Sequence, residues 1–281
     1  MQRSPDSTLP DRRSDTALNR LQAQSRYFFP LTEFAALTQR STASSAVAAL
    51  HRLVKRGRIV SVTRRPSGYL IIPPEHASFG APPFSWWIDD CVKLIDPHYY
   101  VGLLTASQHW GSAHYARQDV QVVISRVHPP LTPGRLKITF TAKRNIETTP
   151  TAMVTTGVAP WRVSTRAATV LDLLRHQAAV GGLESVVRVV RDLAPSIKAE
   201  ELRAALEALG QRSAAQRLGF LLDRLGRPTL ARTVSSWLGT SAHRLPQRLE
   251  LGTAPSRELD VDNHWHVAFD PDRVNLALEV Q

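Results

Sequence analysis

Two short stretches hold the residue types that could carry out covalent or metal-assisted chemistry. The first is WGSAHYARQDVQV, residues 110–122. Metal-assisted nucleotidyl transfer uses a Gly-Ser element followed about ten residues later by an Asp-x-Asp pair on a strand, because Mg²⁺ bridges to phosphate through hard oxygen ligands. Here Gly111 and Ser112 are followed by Asp119, but Gln121 stands where the second carboxylate belongs and the spacing is short. His109, immediately before this stretch, and His114 within it could suggest a metal pair. Five positions apart on a helix they do not share a face, and no third ligand is near. The second stretch is the Asp260/Asp262 pair with Glu258, His264 and His266 around it. With no Gly-Ser element before it, this reads as a solvated acidic loop. No Gly-x-Ser-x-Gly elbow and no phosphate-cradling Gly-rich loop occurs. Cys91 is the single cysteine, which excludes an intrachain disulfide and a cysteine-rich zinc site. The expectation is a protein that is not an enzyme, with no catalytic residue, no metal and no cofactor.

The remaining chemistry is that of cations. The 281 residues carry 35 Lys and Arg against 24 Asp and Glu, a net charge of +11. Residues 1–75 hold 12 basic and 5 acidic side chains, while 76–157 hold 7 and 5 and 158–281 hold 16 and 14. The positive field is therefore concentrated at one end, as expected where that end meets phosphate.

The elements that would position those cations lie between residues 29 and 73. After Pro30, Thr32 is a candidate N-cap for a short helix holding Phe34, Ala35 and Leu37. Residues 39–41 make a turn. A longer helix is expected over 42–56, ending at Gly57. Val47, Leu50, Leu53 and Val54 fall on its inner side, and Ser41, Ser45, Ala48, Arg52, Lys55 and Arg56 on the outer side. Residues 58–72 then alternate as a hairpin with Arg64 and Arg65 at its tip, Pro66 and Gly68 supplying the turn chemistry. Helix, turn, helix and basic hairpin in this order describe a winged helix-turn-helix. In such a module the second helix enters the major groove and the wing reaches a neighbouring groove or backbone. The candidate DNA-binding residues are Ser41, Thr42, Ser45, Arg52, Lys55, Arg56, Arg64 and Arg65. Ser41, Ser45 and Arg52 are the base-facing group, and Lys55, Arg56, Arg64 and Arg65 the phosphate contacts.

Around this module, 1–15 reads as a flexible arm, with Arg12 and Arg13 able to touch DNA, and 16–25 as a first helix burying Ala17, Leu18 and Leu21. Proline-rich residues 73–83 read as a linker, so that 16–77 forms the DNA-binding domain and 78–281 a larger domain. Helices are expected there over 86–95, 99–110, 166–176, 182–192, 198–209, 213–225 and 229–238. Strands are expected over 120–125, 137–142, 153–163 and 263–269. The fold class is α+β, a winged helix followed by a small sheet and a helical section. The first residues lack the apolar core of a signal peptide, and no apolar run approaches the roughly 20 residues of a membrane span. A cytoplasmic protein with no membrane association is expected.

Taken together, FPLTEFAALT (29–38), HRLVKRGRI (51–59) with its wing, YVGLLTASQHWG (100–111) and VSTRAATVLDLL (163–174) resemble the AbiEi family, the antitoxins of type IV toxin-antitoxin pairs. The resemblance spans roughly 27–225. It implies a transcriptional autoregulator whose winged helix binds repeated sites in its own double-stranded promoter DNA. Its larger domain would counteract a cognate nucleotidyltransferase toxin. The wing, RRPSGY at 64–69, departs from the Gly-containing motif many members carry before the Tyr, and the basic helix is rich in Ser and Ala. Two other functions fit the residues. One is a stand-alone winged-helix regulator whose second domain senses a ligand or oligomerises. The other is a DNA-processing enzyme fused to a winged helix.

Overall fold

The structure is a computed structural model and describes residues 11–112, 119–155, 157–239, 245–251 and 258–279. The chain divides into two compact units. The first comprises the residues up to Pro97 together with Pro129–Thr139 and Val154–Trp161, and the second comprises His98–His128, Phe140–Met153 and Arg162–Gln281. The proline-rich stretch 73–83 lies inside the first unit. There the Trp87 indole N–H donates to the Pro82 carbonyl at 3.2 Å.

In the first unit, helix α1 (Arg12–Ala23) is followed by strand β1 (Phe28–Pro30), helices α2 (Leu31–Leu37) and α3 (Ala43–Lys55), and strands β2 (Ile59–Arg64) and β3 (Ser67–Ile71). Helix α1 begins earlier than the sequence suggests. Asp11 caps it by accepting from the Ser14 amide and hydroxyl, so 11–15 form a cap and first turn rather than an arm. Residues 1–10 lie outside the described residues. Helix α2 starts directly after Pro30 and has no side-chain cap, so Thr32 does not play the capping role expected of it.

Helix α3 is capped at its start by Thr42, whose Oγ1 accepts from the Ser45 amide at 3.2 Å. It ends in a Schellman motif: the Gly57 amide donates to Val54 and the Arg58 amide to Leu53, with Gly57 at φ +68°. That left-handed conformation carries no steric cost for glycine. The inward face of α3 is Ala46, Ala49, Leu50 and Leu53. Val54 is 39% exposed, which corrects the expected inner set. Two alanines replace the larger residues because α3 packs tightly into the cluster of Leu18, Leu21, Phe29, Phe34 and Ile59.

Strand β3 is the centre of an antiparallel sheet ordered β1-β3-β2, with Phe29 opposite Tyr69 and Val60 opposite Leu70. The wing turn follows Arg64, and the Arg65–Pro66 peptide is cis. The Thr63 hydroxyl donates to the Pro66 carbonyl at 2.6 Å and the Ser67 hydroxyl to the Arg64 carbonyl at 3.0 Å. Gly68 is not a turn residue. It lies in β3 opposite Pro30, and a Cβ there would come within 2.3 Å of the Phe28 ring. The reason for the glycine is close approach. Helix α4 (Ile88–Ile95) follows.

In the rest of the chain, strand β4 (Tyr99–Val101) precedes the short helix α5 (Leu103–His109). The single helix expected over 99–110 is therefore a strand and a helix, divided at Gly102. Strands β5 (Asp119–Ile124) and β6 (Lys137–Ala142) match expectation within a residue. The run 153–163 splits into β7 (Thr151–Thr155) and β8 (Pro160–Ser164), with Gly157 at φ +81° between them. The five strands form a sheet ordered β6-β5-β4-β8-β7 in which β4 runs antiparallel to β5 and parallel to β8.

Helices α6 (Arg166–Arg175), α7 (Leu183–Leu193), α8 (Ala199–Leu209), α9 (Arg212–Arg224) and α10 (Pro228–Leu238) come next. A small sheet then joins β9 (Gln247–Arg248), β10 (Asp260–Asp262) and β11 (Val267–Phe269), and α11 (Pro271–Glu279) closes the described chain. The run expected as one strand over 263–269 is a turn followed by β11. The core of this unit gathers apolar residues of α5 to α11 around Trp265. Trp265 lies on the Gly219 backbone of α9, where a Cβ would meet its ring at 2.1 Å, and its indole N–H donates to Asp223 at 2.7 Å. A glycine inside a helix lowers helix propensity, and here it makes room for the largest side chain of the core. The α+β class is that expected from the sequence.

Candidate nucleic-acid interface

Helix α3 holds its inner residues in the core of the first unit, which leaves the opposite stripe outside. Ser41, Thr42, Arg52, Lys55 and Arg56 are exposed and Ser45 is half-buried. Arg64 and Arg65 are exposed at the tip of the wing. The structure thus gathers all eight candidate residues in one unit, on one helix with its preceding turn and on one hairpin. Two of the hydroxyls already have local work. Thr42 caps α3, and the Ser45 hydroxyl donates to the Thr42 carbonyl at 2.8 Å. The Ser45 hydroxyl keeps acceptor capacity for a partner.

The cations are not equivalent. Lys55, Arg64 and Arg65 make no ion pair with a described residue. Arg52 and Arg56 do, with carboxylates of α1 that the sequence alone does not single out. Arg52 Nη2 lies 3.5 Å from Asp11 Oδ2, and Arg56 Nη2 lies 3.6 Å from Asp15 Oδ1. Arg40, in the turn between α2 and α3, forms a close ion pair with Asp11. Arg58, just past α3, is 3.5 Å from Asp15. The Asp11 carboxyl titrates below its ordinary value of 3.8: burial opposes ionisation, and the hydrogen bonds from Ser14 with the charge of Arg40 outweigh it. The spacing of Asp11 and Asp15, one helical turn apart, is the only sequence signal for this pairing, and it becomes legible only once α1 is known to start at Arg12.

Gln121 is buried and structural: its Oε1 accepts from the Leu104 amide at 2.9 Å and its Nε2 donates to the Ala179 carbonyl at 3.2 Å. The Ser112 hydroxyl donates to Asp192 at 2.5 Å. His109 packs edge-on against Trp110, and His114 lies outside the described residues. Asp260 and Asp262 are on β10, where Asp262 accepts from the Trp265 amide at 2.8 Å. Among the described residues no three His, Cys, Asp or Glu side chains converge as a metal site, and no helix is long and apolar enough to cross a membrane.

One buried polar group has no counterpart in the sequence reading. Lys143 and Asp172 are almost wholly buried and pair at 2.7 Å, and the Tyr100 hydroxyl donates to Asp172 at 2.6 Å. Lys143 also donates to the Tyr100 oxygen at 3.0 Å. Burial lowers the Lys143 pKa against the opposing pull of Asp172, and burial with the Asp172 charge raises that of Tyr100. The group ties β4 and the segment after β6 to α6 and is closed to solvent.

Residues 100–224 match the family model of the AbiEi antitoxin C-terminal domain. No curated protein matches the chain. The crystal structure of RV2827C protein from Mycobacterium tuberculosis is similar with a TM-score of 0.64 and 18% identity, covering 94% of this chain and 93% of that one. At that identity the likeness concerns the fold. Helix α5, strands β5 to β8 and helices α6 to α9 all lie inside the range that matches the AbiEi antitoxin C-terminal domain, so that residues 100–224 are similar to that family's domain.

Proposed function

We propose that the protein is the antitoxin of a type IV toxin-antitoxin pair and a DNA-binding repressor of its own operon. Helix α3 reads the major groove of repeated promoter sites, with Ser41, Ser45 and Arg52 towards base edges. Lys55, Arg56, Arg64 and Arg65 engage phosphates. The AbiEi domain counteracts a cognate nucleotidyltransferase toxin. The protein acts in the cytoplasm without catalysing a reaction.

The observation that carries this reading is the exposed row Arg52, Lys55 and Arg56 on a capped helix, combined with Arg64 and Arg65 at the end of a hairpin. Footprinting of the purified chain on the DNA upstream of its own gene tests it. Protection of repeated sites is expected, and uniform cleavage at protein concentrations of about 10 μM, where even non-specific complexes form, would overturn it.

A second reading, a stand-alone regulator whose larger domain senses a small ligand, draws support from one feature. A cavity of about 690 Å³ at the start of α9 is lined by Arg175, Arg212, Gln211, Gln216 and Gln247, within the size range of small-molecule sites. Failure of the full chain to rescue growth against the toxin encoded beside it would favour this reading.

A further inference from the structure

Four arginines of the helix-turn-helix converge on two carboxylates of one neighbouring helix. Asp11 meets Arg40 and Arg52, and Asp15 meets Arg56 and Arg58. The acids are one turn apart on α1 and its cap, and Arg52 and Arg56 are one turn apart on α3. Two matched stripes of opposite charge therefore face each other beside the surface expected to meet DNA.

The pairs differ in tightness. Arg40 is bound closely to Asp11, and both side chains are mostly buried, which fixes that carboxylate in place. Arg52 is 54% exposed and reaches Asp11 only at 3.5 Å. Asp15 Oδ1 is buried, accepts no hydrogen bond from a described residue, and has Arg56 and Arg58 just beyond hydrogen-bonding range. Loose, half-exposed pairs of this kind contribute little to stability. Their carboxylates nevertheless lie well within a Debye length of any phosphate that Arg52 or Arg56 could reach.

Resting on the reading of α3 as a DNA-binding helix, we propose that Asp11 and Asp15 are an internal counter-charge that holds Arg52 and Arg56 and suppresses sequence-independent DNA binding. A phosphate must compete with a fixed carboxylate for each arginine, so fewer counterions are released per complex on random DNA. On the operator, base contacts by the outward-turned arginine offset that competition. Specificity is then raised by a repulsive element as well as an attractive one.

The test is Asp11→Asn with Asp15→Asn in the full chain, measured by fluorescence anisotropy on a promoter duplex and on an unrelated duplex of equal length across a salt series. Asparagine caps helices as well as aspartate does, and a thermal melt checks that the fold persists. Affinity for the unrelated duplex is expected to rise about 10-fold at ~100 mM salt, with the slope of log K against log salt steeper by about 1 to 2 units. The promoter affinity changes less. Glu33→Gln serves as a control for net charge, because Glu33 pairs with Arg26 on another part of the domain. An unchanged slope in the double variant, or an equal rise in Glu33→Gln, overturns the proposal while leaving DNA binding by the wild type intact. Binding of neither duplex by wild type or variant removes the DNA reading itself and this inference with it.

Discussion

At the scale of single residues, the buried group of Tyr100, Lys143 and Asp172 sets the sharpest expectations. Lys143→Met leaves the Asp172 carboxylate buried without its cation, since the two side chains are 2% and 1% exposed. Removal of one partner from such a pair costs about 3–5 kcal/mol. Urea denaturation measures this directly, and a loss below about 1 kcal/mol would mean that the pair is better solvated than its burial indicates. His176 nearby gives a pH signature. Its imidazole pKa is pushed below 6.5, first by burial and then by Arg175 and Lys143 against the pull of Asp172. The unfolded chain takes up a proton below that pH which the folded chain refuses. Stability is therefore present above 6.5 and falls as the solution is acidified below it. Melting temperatures across that range should show the decline, and His176→Gln should flatten it. A variant that tracks the wild type at every pH would assign the decline to other groups.

Among the elements, the wing depends on one close approach. Alanine at 68 would place a methyl group 2.3 Å from the ring of Phe28 and 2.7 Å from Thr63 Oγ1, and Phe28 is 1% exposed and has nowhere to move. Gly68→Ala is expected to cost about 1–3 kcal/mol and to weaken DNA binding through the displaced hairpin. Calorimetry and anisotropy report the two effects separately. The helices were legible in the sequence because their apolar residues recur at helical spacing over ten or more positions, as in α6 to α10. Strand β4 was not, because three buried residues in the apolar run YYVGLL fit either period. The start of α1 was hidden by a polar first turn in which only Ser14 is buried. The pairings that matter most join distant positions: Lys143 and Asp172 are 29 residues apart, and Arg52 and Asp11 are 41 apart. No local pattern encodes such contacts. The exposed face of α3 was legible because a helix wheel needs only the helix itself, yet Val54 was misplaced because packing, not periodicity, decides between alanine and valine at a tight crossing.

At the scale of the whole molecule, two tasks are assigned to different parts of the chain. The residues assigned to DNA lie in the first unit, and the span matching the antitoxin domain runs from 100 to 224. A full chain carrying Arg52→Ala and Arg65→Ala should lose repression of a promoter reporter while still restoring growth when the adjacent toxin gene is expressed. Loss of rescue along with repression would tie protection to DNA binding.

The most direct measurement is the salt dependence of promoter binding by the same double variant. Arg65 is exposed on the wing and Arg52 on α3, and each is assigned a contact with the nucleic acid. Fluorescence anisotropy on a promoter duplex should show affinity reduced by about 100-fold at ~100 mM salt and a slope of log K against log salt shallower by about 1 to 2 units, as expected for two lost cations. An affinity and slope equal to those of the wild type would contradict the account.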